Sequence, residues 1–358
     1  MKIIKANAFI KNLRLKKPYT IARQRIEDVE NVFLEIKLEN GITGIGAANP
    51  EFEVVGESPA DTLANLEKEI LPWLTGKDIR SFNSLIDAVD TMFPHKPGTL
   101  ACTDIALHDA FGKFIDIPVA DFYGRQHSAL PTSVTIGILD IQHTLEEAAA
   151  FKALGFRILK LKTGLSPEED AEKVIKLREK FGDHFTIRVD ANTGYTLEQL
   201  EHFIYLIHKQ PVELIEQPLA PGLDSALENL SFSTRKLLAA DESLKDAATA
   251  FELCKSGRYG IYNIKLMKCG GIKGAFKIAA VAEPAGAELF WGCNDESIVS
   301  ITAALHAAFS CKHTRYIDLD GSFDLAEDIV KSGFMVKEGM MSITNAPGLG
   351  LIKNNILH

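Results

Sequence analysis

The chain has 358 residues, of which 46% are hydrophobic and 24% charged, with a formal net charge of −9. That length suits a large barrel or two domains, and that composition excludes a disordered chain. The acidic balance argues against nucleic-acid binding, no apolar run is long enough for a membrane span, and none is expected to act as a signal peptide. Five scattered cysteines without C-x-x-C pairing (Cys102, Cys254, Cys269, Cys293, Cys311) make disulfides and structural zinc poor expectations and favour a reducing cytoplasm. In chain order, "KIIKANAFI" and "VENVFLEIKLENGITGIGAA" alternate like antiparallel strands, with Asn40-Gly41 as a hairpin turn. The "GITGIG" cluster lacks a following helix and a Lys-Ser/Thr pair, so it reads as hairpin rather than phosphate loop. Helical patterns follow near 58–74 and 100–114.

From Thr132 short β-rich runs alternate with amphipathic helical patterns. The runs are "TSVTIG", "RILKLK", "FTIRVD", "VELIEQP", "KLLAAD", "GIYNIK", "AELFWG" and "TRYIDLD". Eight such units predict parallel βαβ connections closing into a (β/α) barrel. An open doubly wound sheet is the competing architecture, and the missing Gly-rich dinucleotide turn weighs against it. The expected organisation is a capping domain over residues 1–125, a barrel over 126–324, and a C-terminal segment, 325–358, packed on the cap.

Lys162, Asp190, Glu216, Asp241 and Lys265 each stand near the C-terminal end of a different run, separated by 28, 26, 25 and 24 residues. Strand C-terminal ends converge on one mouth of a barrel, where active sites are built. A single Asp there is ordinarily a helix N-cap, and a single Lys ordinarily snorkels to solvent. Consecutive strands placing charge at the same end point instead to a site. Three carboxylates in one mouth repel each other, and an all-oxygen set without His or Cys suits Mg²⁺. Alternation puts Lys160 and Lys162 on one strand face. Clustering and desolvation are expected to lower a lysine pKa there and supply a neutral amine as base. With Lys265 roughly across the barrel, one lysine removes an α-proton and the other returns one to the opposite face. Mg²⁺ and Lys160 are expected to hold the enolate.

These motifs, "LKLK", "RVDAN", "IEQP", "ADES" and "NIKLMKCGG", resemble the enolase superfamily, muconate-lactonizing subgroup. That superfamily is already known to pair a Lys or His base with Mg²⁺. The resemblance implies a modified (β/α)7β TIM-like barrel with an α+β N-terminal cap, completed by the C-terminal tail. It implies one Mg²⁺ on Asp190, Glu216 and Asp241, Lys162 and Lys265 as the acid/base pair, and Lys160 as auxiliary cation. No His stands on the seventh strand, as the His-dependent subgroup requires. "DLD" on the eighth strand resembles the dipeptide epimerases, which implies that Asp318 and Asp320 hold a substrate ammonium. Thr135 is expected to line the same cavity, with Asn294 and Asp295 after the seventh strand.

The cap segment "PYTIARQRIEDVEN" resembles the one that closes over substrate. Where Ala-Glu epimerases carry an arginine for the distal carboxylate, this chain has Gln24, flanked by Arg23 and Arg25. A second cap loop, "NPEFEVVGES", offers Phe52, Val54 and Val55 as a partly apolar wall. The resemblance therefore implies an isomerase, a dipeptide epimerase acting at the α-carbon of the C-terminal residue. L-Ala-L-Glu, as in peptidoglycan recycling, is the leading substrate expectation. The alternatives are o-succinylbenzoate synthase, N-succinylamino acid racemase, a muconate-type cycloisomerase and a non-catalytic metal-binding barrel. A homo-oligomer with no nucleic-acid or membrane partner is expected.

Overall fold

The structure is a computed structural model describing the backbone of residues 1–21 and 24–354, and the side chains of these outside 18–26. Eight short strands form one sheet in sequence order, and every neighbouring pair is parallel. They are Val134–Ile136, Ile158–Lys162, Thr186–Asp190, Ile215–Glu216, Leu238–Ala240, Ile261–Ile264, Glu288–Trp291 and Thr314–Ile317. The first and last meet through a Thr132–Ile317 bridge, and Ser133 N donates to Ile317 O at 3.2 Å. These are the eight runs expected from sequence, and seven connections separate them.

The helices start where the sequence caps them. Ser166 accepts from Glu169 N at the head of Pro167–Phe181, and Thr196 forms a capping box with Gln199 before Leu197–Leu206. The fourth connection is mostly a 3-10 segment, Pro221–Asn229, followed by the single turn Phe232–Arg235. Among the described residues, no helix is long and apolar enough to cross a membrane.

N-terminal to the barrel, strands Ile3–Ile21, Gln24–Leu38 and Thr43–Ala48 form an antiparallel sheet. Much of the segment expected to be a loop instead extends the first two strands, which pair up to Ile21 and Gln24. The helix Pro97–Phe114 packs on this sheet, and the "GITGIG" glycines explain how. A Cβ on Gly44 would stand 2.5 Å from Ala106 O, and one on Gly46 would run into Cys102 O. The cluster lies within a hairpin, as expected, and its glycines also make a docking surface for the helix. Gly41, at φ 90°, makes the Asn40-Gly41 turn. Past the barrel, Leu15 bridges Leu325, and Val119 N donates to Gly348 O at 2.9 Å, so the C-terminal segment lies against the cap.

Candidate active site

Strand register sets the site. Lys162 pairs with Asp190 and Asp190 with Glu216, so a lysine and two carboxylates stand side by side on three neighbouring strands. Asp241 follows the fifth strand and Lys265 the sixth, four strands around the sheet from Lys162. Lys160, one inward position below Lys162, is buried. Its Nζ lies 3.1 Å from Asp190 Oδ2, 2.8 Å from Glu216 Oε2 and 2.9 Å from Asp318 Oδ2. Lys162 Nζ donates to Asp190 Oδ2 at 2.8 Å and to Asn192 Oδ1 at 2.9 Å. Lys265 Nζ lies 3.0 Å from Asp241 Oδ2.

These contacts set the charge of Lys160 and Lys265 differently from that of Lys268, whose pKa is lowered by burial. Burial alone would push Lys160 down, but Asp190, Asp318 and Glu216 outweigh it and hold the ammonium well above its ordinary pKa. Burial likewise opposes the charge of Lys265, and Asp241 outweighs it. Around Lys160 and Lys265 the neighbouring carboxylates outweigh burial, which favours the ammonium form of both. The carboxylates split. Burial would raise Asp190 and Asp241, yet their lysine neighbours hold both below the ordinary range. Glu216 is raised, by burial and then by the charge of Asp190.

The D-x-D pair also divides. Asp318 has both oxygens engaged, Oδ1 by Ser133 Oγ at 2.6 Å and Oδ2 by Lys160. Asp320 Oδ2 accepts from Thr135 N at 2.8 Å, and burial followed by the Asp318 charge raises its pKa. Thr135 therefore meets Asp320 through its backbone. Asn294 Nδ2 donates to Asn49 O of the cap at 3.2 Å, and Asp295 is half-buried beside it. Phe52 is 59% exposed on the single turn Phe52–Val55. Arg23 lies outside the described residues, as do the side chains of Gln24 and Arg25.

Sequence reading missed several participants. Lys268 is buried, contacts an Asp241 carboxylate oxygen and donates to Asn263 O at 3.2 Å. Asn263 Nδ2 donates to Glu216 Oε1 at 2.7 Å. Glu242 and Glu296 are raised chiefly by burial, and both feel the charge of Lys265. The signal for Lys268 was its place three residues after Lys265 in "NIKLMKCGG", which the turn Leu266–Cys269 folds back onto Asp241.

As placed, no three acidic, His or Cys side chains among the described residues are grouped so as to hold a metal ion, and Lys160, Lys162, Lys265 and Lys268 contact the three carboxylates. The donor chemistry nevertheless fits a hard divalent cation. It is all oxygen, drawn from three consecutive strand ends. Glu216 is buried, and its Oε2 meets Lys160 without the angles of a hydrogen bond.

The N-terminal domain of the mandelate racemase / muconate lactonizing enzymes matches residues 3–124, and the enolase C-terminal domain-like family matches residues 143–354. The chain belongs to this family. Within it the chain lies among the dipeptide epimerases and is an isomerase. An L-Lys-D/L-Arg epimerase from Desulforapulum autotrophicum is 48% identical over 352 residues, covering 98% of this chain and 99% of the relative. A hydrophobic dipeptide epimerase from Enterococcus faecalis is 32% identical over 98% of this chain and 99% of its own. The solved dipeptide epimerase of Methylococcus capsulatus, complexed with Mg and L-Arg-D-Lys, superimposes with a TM-score of 0.95. It is 43% identical, covering 98% of this chain and 100% of that one. The barrel-and-cap architecture of this family is thus the one observed here.

Proposed function

We propose that this chain is a Mg²⁺-dependent dipeptide epimerase that inverts the α-carbon of the C-terminal residue of dipeptides with cationic side chains. One observation carries the reaction type. Lys162 and Lys265 stand on strands two and six, on opposite sides of the mouth, with Asp190, Glu216 and Asp241 on the strands between. Bound to the three carboxylates, Mg²⁺ would supply Lewis-acid polarisation of the substrate carboxylate. Lys162 and Lys265 then act as base and conjugate acid on opposite faces of the α-carbon. Lys160, held as ammonium, braces the charge that develops on the substrate carboxylate. Asp320, whose Oδ2 meets the Thr135 N–H, receives the free α-ammonium of the first residue. An N-succinylated or muconate-type substrate brings no such group, which disfavours those alternatives.

The cationic preference rests on the relatives, an L-Lys-D/L-Arg epimerase at 48% identity and a dipeptide epimerase solved with L-Arg-D-Lys at 43%. In the mouth, Glu216, Glu242, Glu296 and Asp320 are all raised chiefly by burial, and each regains its charge most readily when a cation binds beside it. Gln24 in place of an arginine removes the partner for an acidic side chain, so Ala-Glu is replaced here as the leading substrate. The test is kcat/KM over a panel of L-Lys-L-Arg, L-Leu-L-Tyr and L-Ala-L-Glu. The cationic dipeptide is expected to lead, and preference for L-Ala-L-Glu would overturn the specificity.

A further inference from the structure

Lys162 is the less enclosed of the two proposed bases. Its side chain is 31% exposed, against 16% for Lys265. Two partners hold its ammonium: Asp190, itself committed to the carboxylate set, and Asn192. The backbone on either side of these groups is unusual. Gly164, two residues after Lys162, has φ 104°, while Asn192 and Thr193 have φ 42° and 66°. Left-handed conformations at two successive non-glycine residues are costly and persist only where the surroundings impose them.

Thr193 N donates to Gln217 O and Tyr195 N to Pro218 O, which hold the second turn to the next strand's loop, and a buried carboxylate ties it to the first. Asp170, on the helix that follows strand two, accepts from Gly164 N at 2.9 Å and from Tyr195 OH at 2.7 Å, both on Oδ2. Lys173 Nζ approaches its other oxygen at 3.4 Å. One carboxylate thus joins the turn after Lys162 to the turn after Asn192. The two turns are also in direct contact. A Cβ on Gly194 would stand 2.9 Å from Gly164 Cα, and one on Gly164 would strike Ala191 O. Thr163 N donates to Asp190 O at 2.8 Å, which closes the same seam from below. The turn after Lys265 is held by other groups, Lys268 reaching Asp241 and Asn263 O, and among the described residues no hydrogen bond of Asp170 or Tyr195 extends to it.

We infer that Asp170 and Tyr195 are positioning residues for Lys162 alone: their clamp between the second and third barrel loops fixes the base on one face of the substrate. The inference rests on the proposed two-base reaction, and it makes the two faces separately adjustable. Proton removal by either lysine is visible without inversion, as exchange of the α-hydrogen of one isomer with solvent deuterium. Loosening the clamp should slow removal by Lys162 and leave removal by Lys265 intact.

The test is α-deuterium uptake in D₂O with Mg²⁺, measured separately from L-Lys-L-Arg and L-Lys-D-Arg by mass spectrometry. Lys162→Ala and Lys265→Ala first assign which isomer each lysine serves. Tyr195→Phe, which removes one oxygen and keeps the ring beside Phe203, is then expected to slow uptake from the Lys162 isomer about tenfold or more. Uptake from the Lys265 isomer should stay within about twofold, because no part of its base is displaced. Asp170→Asn breaks the charge-assisted bonds from the other side and should give the same one-isomer loss. Equal losses on both isomers, or none, overturn the clamp as a face-specific device. If instead neither lysine variant separates the isomers, the two-base reading itself fails and the clamp with it.

Discussion

At Asp320 a half-buried carboxyl group stands beside a buried one, Asp318, and only the first leaves its charge unanswered by a lysine at contact distance. Burial and the neighbouring anion favour its neutral form, so a bound ammonium is what restores its charge. The dipeptide KM should therefore fall as pH rises through the raised pKa of this group. Asp320→Asn is expected to raise KM roughly tenfold to a hundredfold and to flatten that pH profile, as loss of a charged hydrogen bond implies. Unchanged steady-state kinetics would remove the ammonium role. Glu296 gives a stability signature of the opposite kind to a salt-bridged carboxylate. Burial raises it from 4.5 to about 7. The folded protein then keeps a proton that the unfolded chain has released, so this group's contribution falls as pH rises from about 4.5 to 7. Chemical unfolding of Glu296→Gln without metal should show a shallower loss of stability across that window, and a slope equal to the parent's would refute it.

Among the elements, the eight strands and the charged residues at their ends were legible because period-2 alternation and a spacing of 24 to 28 residues survive in the sequence alone. Lys162, Asp190, Glu216, Asp241 and Lys265 needed only the barrel rule to be gathered. The charge state of the lysines was not legible. It depends on how far Lys160 Nζ reaches, and that reach joins residues 158 apart in sequence. Lys268 and Asn263 were hidden for a related reason. Their roles appear only when the turn Leu266–Cys269 folds back and the sixth strand turns its amide towards Glu216. The strand extensions up to Ile21 and Gln24 were missed because that segment's resemblance to one that closes over substrate stood in place of its own β-forming residues. The "GITGIG" glycines were read correctly as hairpin, but their purpose required the helix they admit. Gly46→Ala should cost about 1–3 kcal/mol in unfolding free energy through the clash with Cys102 O, with Mg²⁺ affinity unchanged. A neutral effect on stability would mean that the helix can withdraw from the sheet.

Across the whole molecule, buried carboxylates tie cap, barrel and tail together. Asp104 of the cap helix accepts from Ile272 N at 2.7 Å and Lys273 N at 3.2 Å, capping a barrel helix from outside its own domain. Asp109 accepts from Ile45 N and Leu349 N, and Asp328 of the tail receives Ser297 Oγ and Ile298 N at the head of another barrel helix. The starts of two barrel helices are thereby held by carboxylates of the cap and the tail. The most direct measurement is proton NMR of L-Lys-L-Arg in D₂O with the enzyme and Mg²⁺. The α-proton signal of the C-terminal arginine should disappear while that of the N-terminal lysine stays, L-Lys-D-Arg should accumulate, and chelation of the metal should stop both changes. Retention of the arginine α-proton, or its loss without any D-isomer, would contradict epimerisation at that carbon.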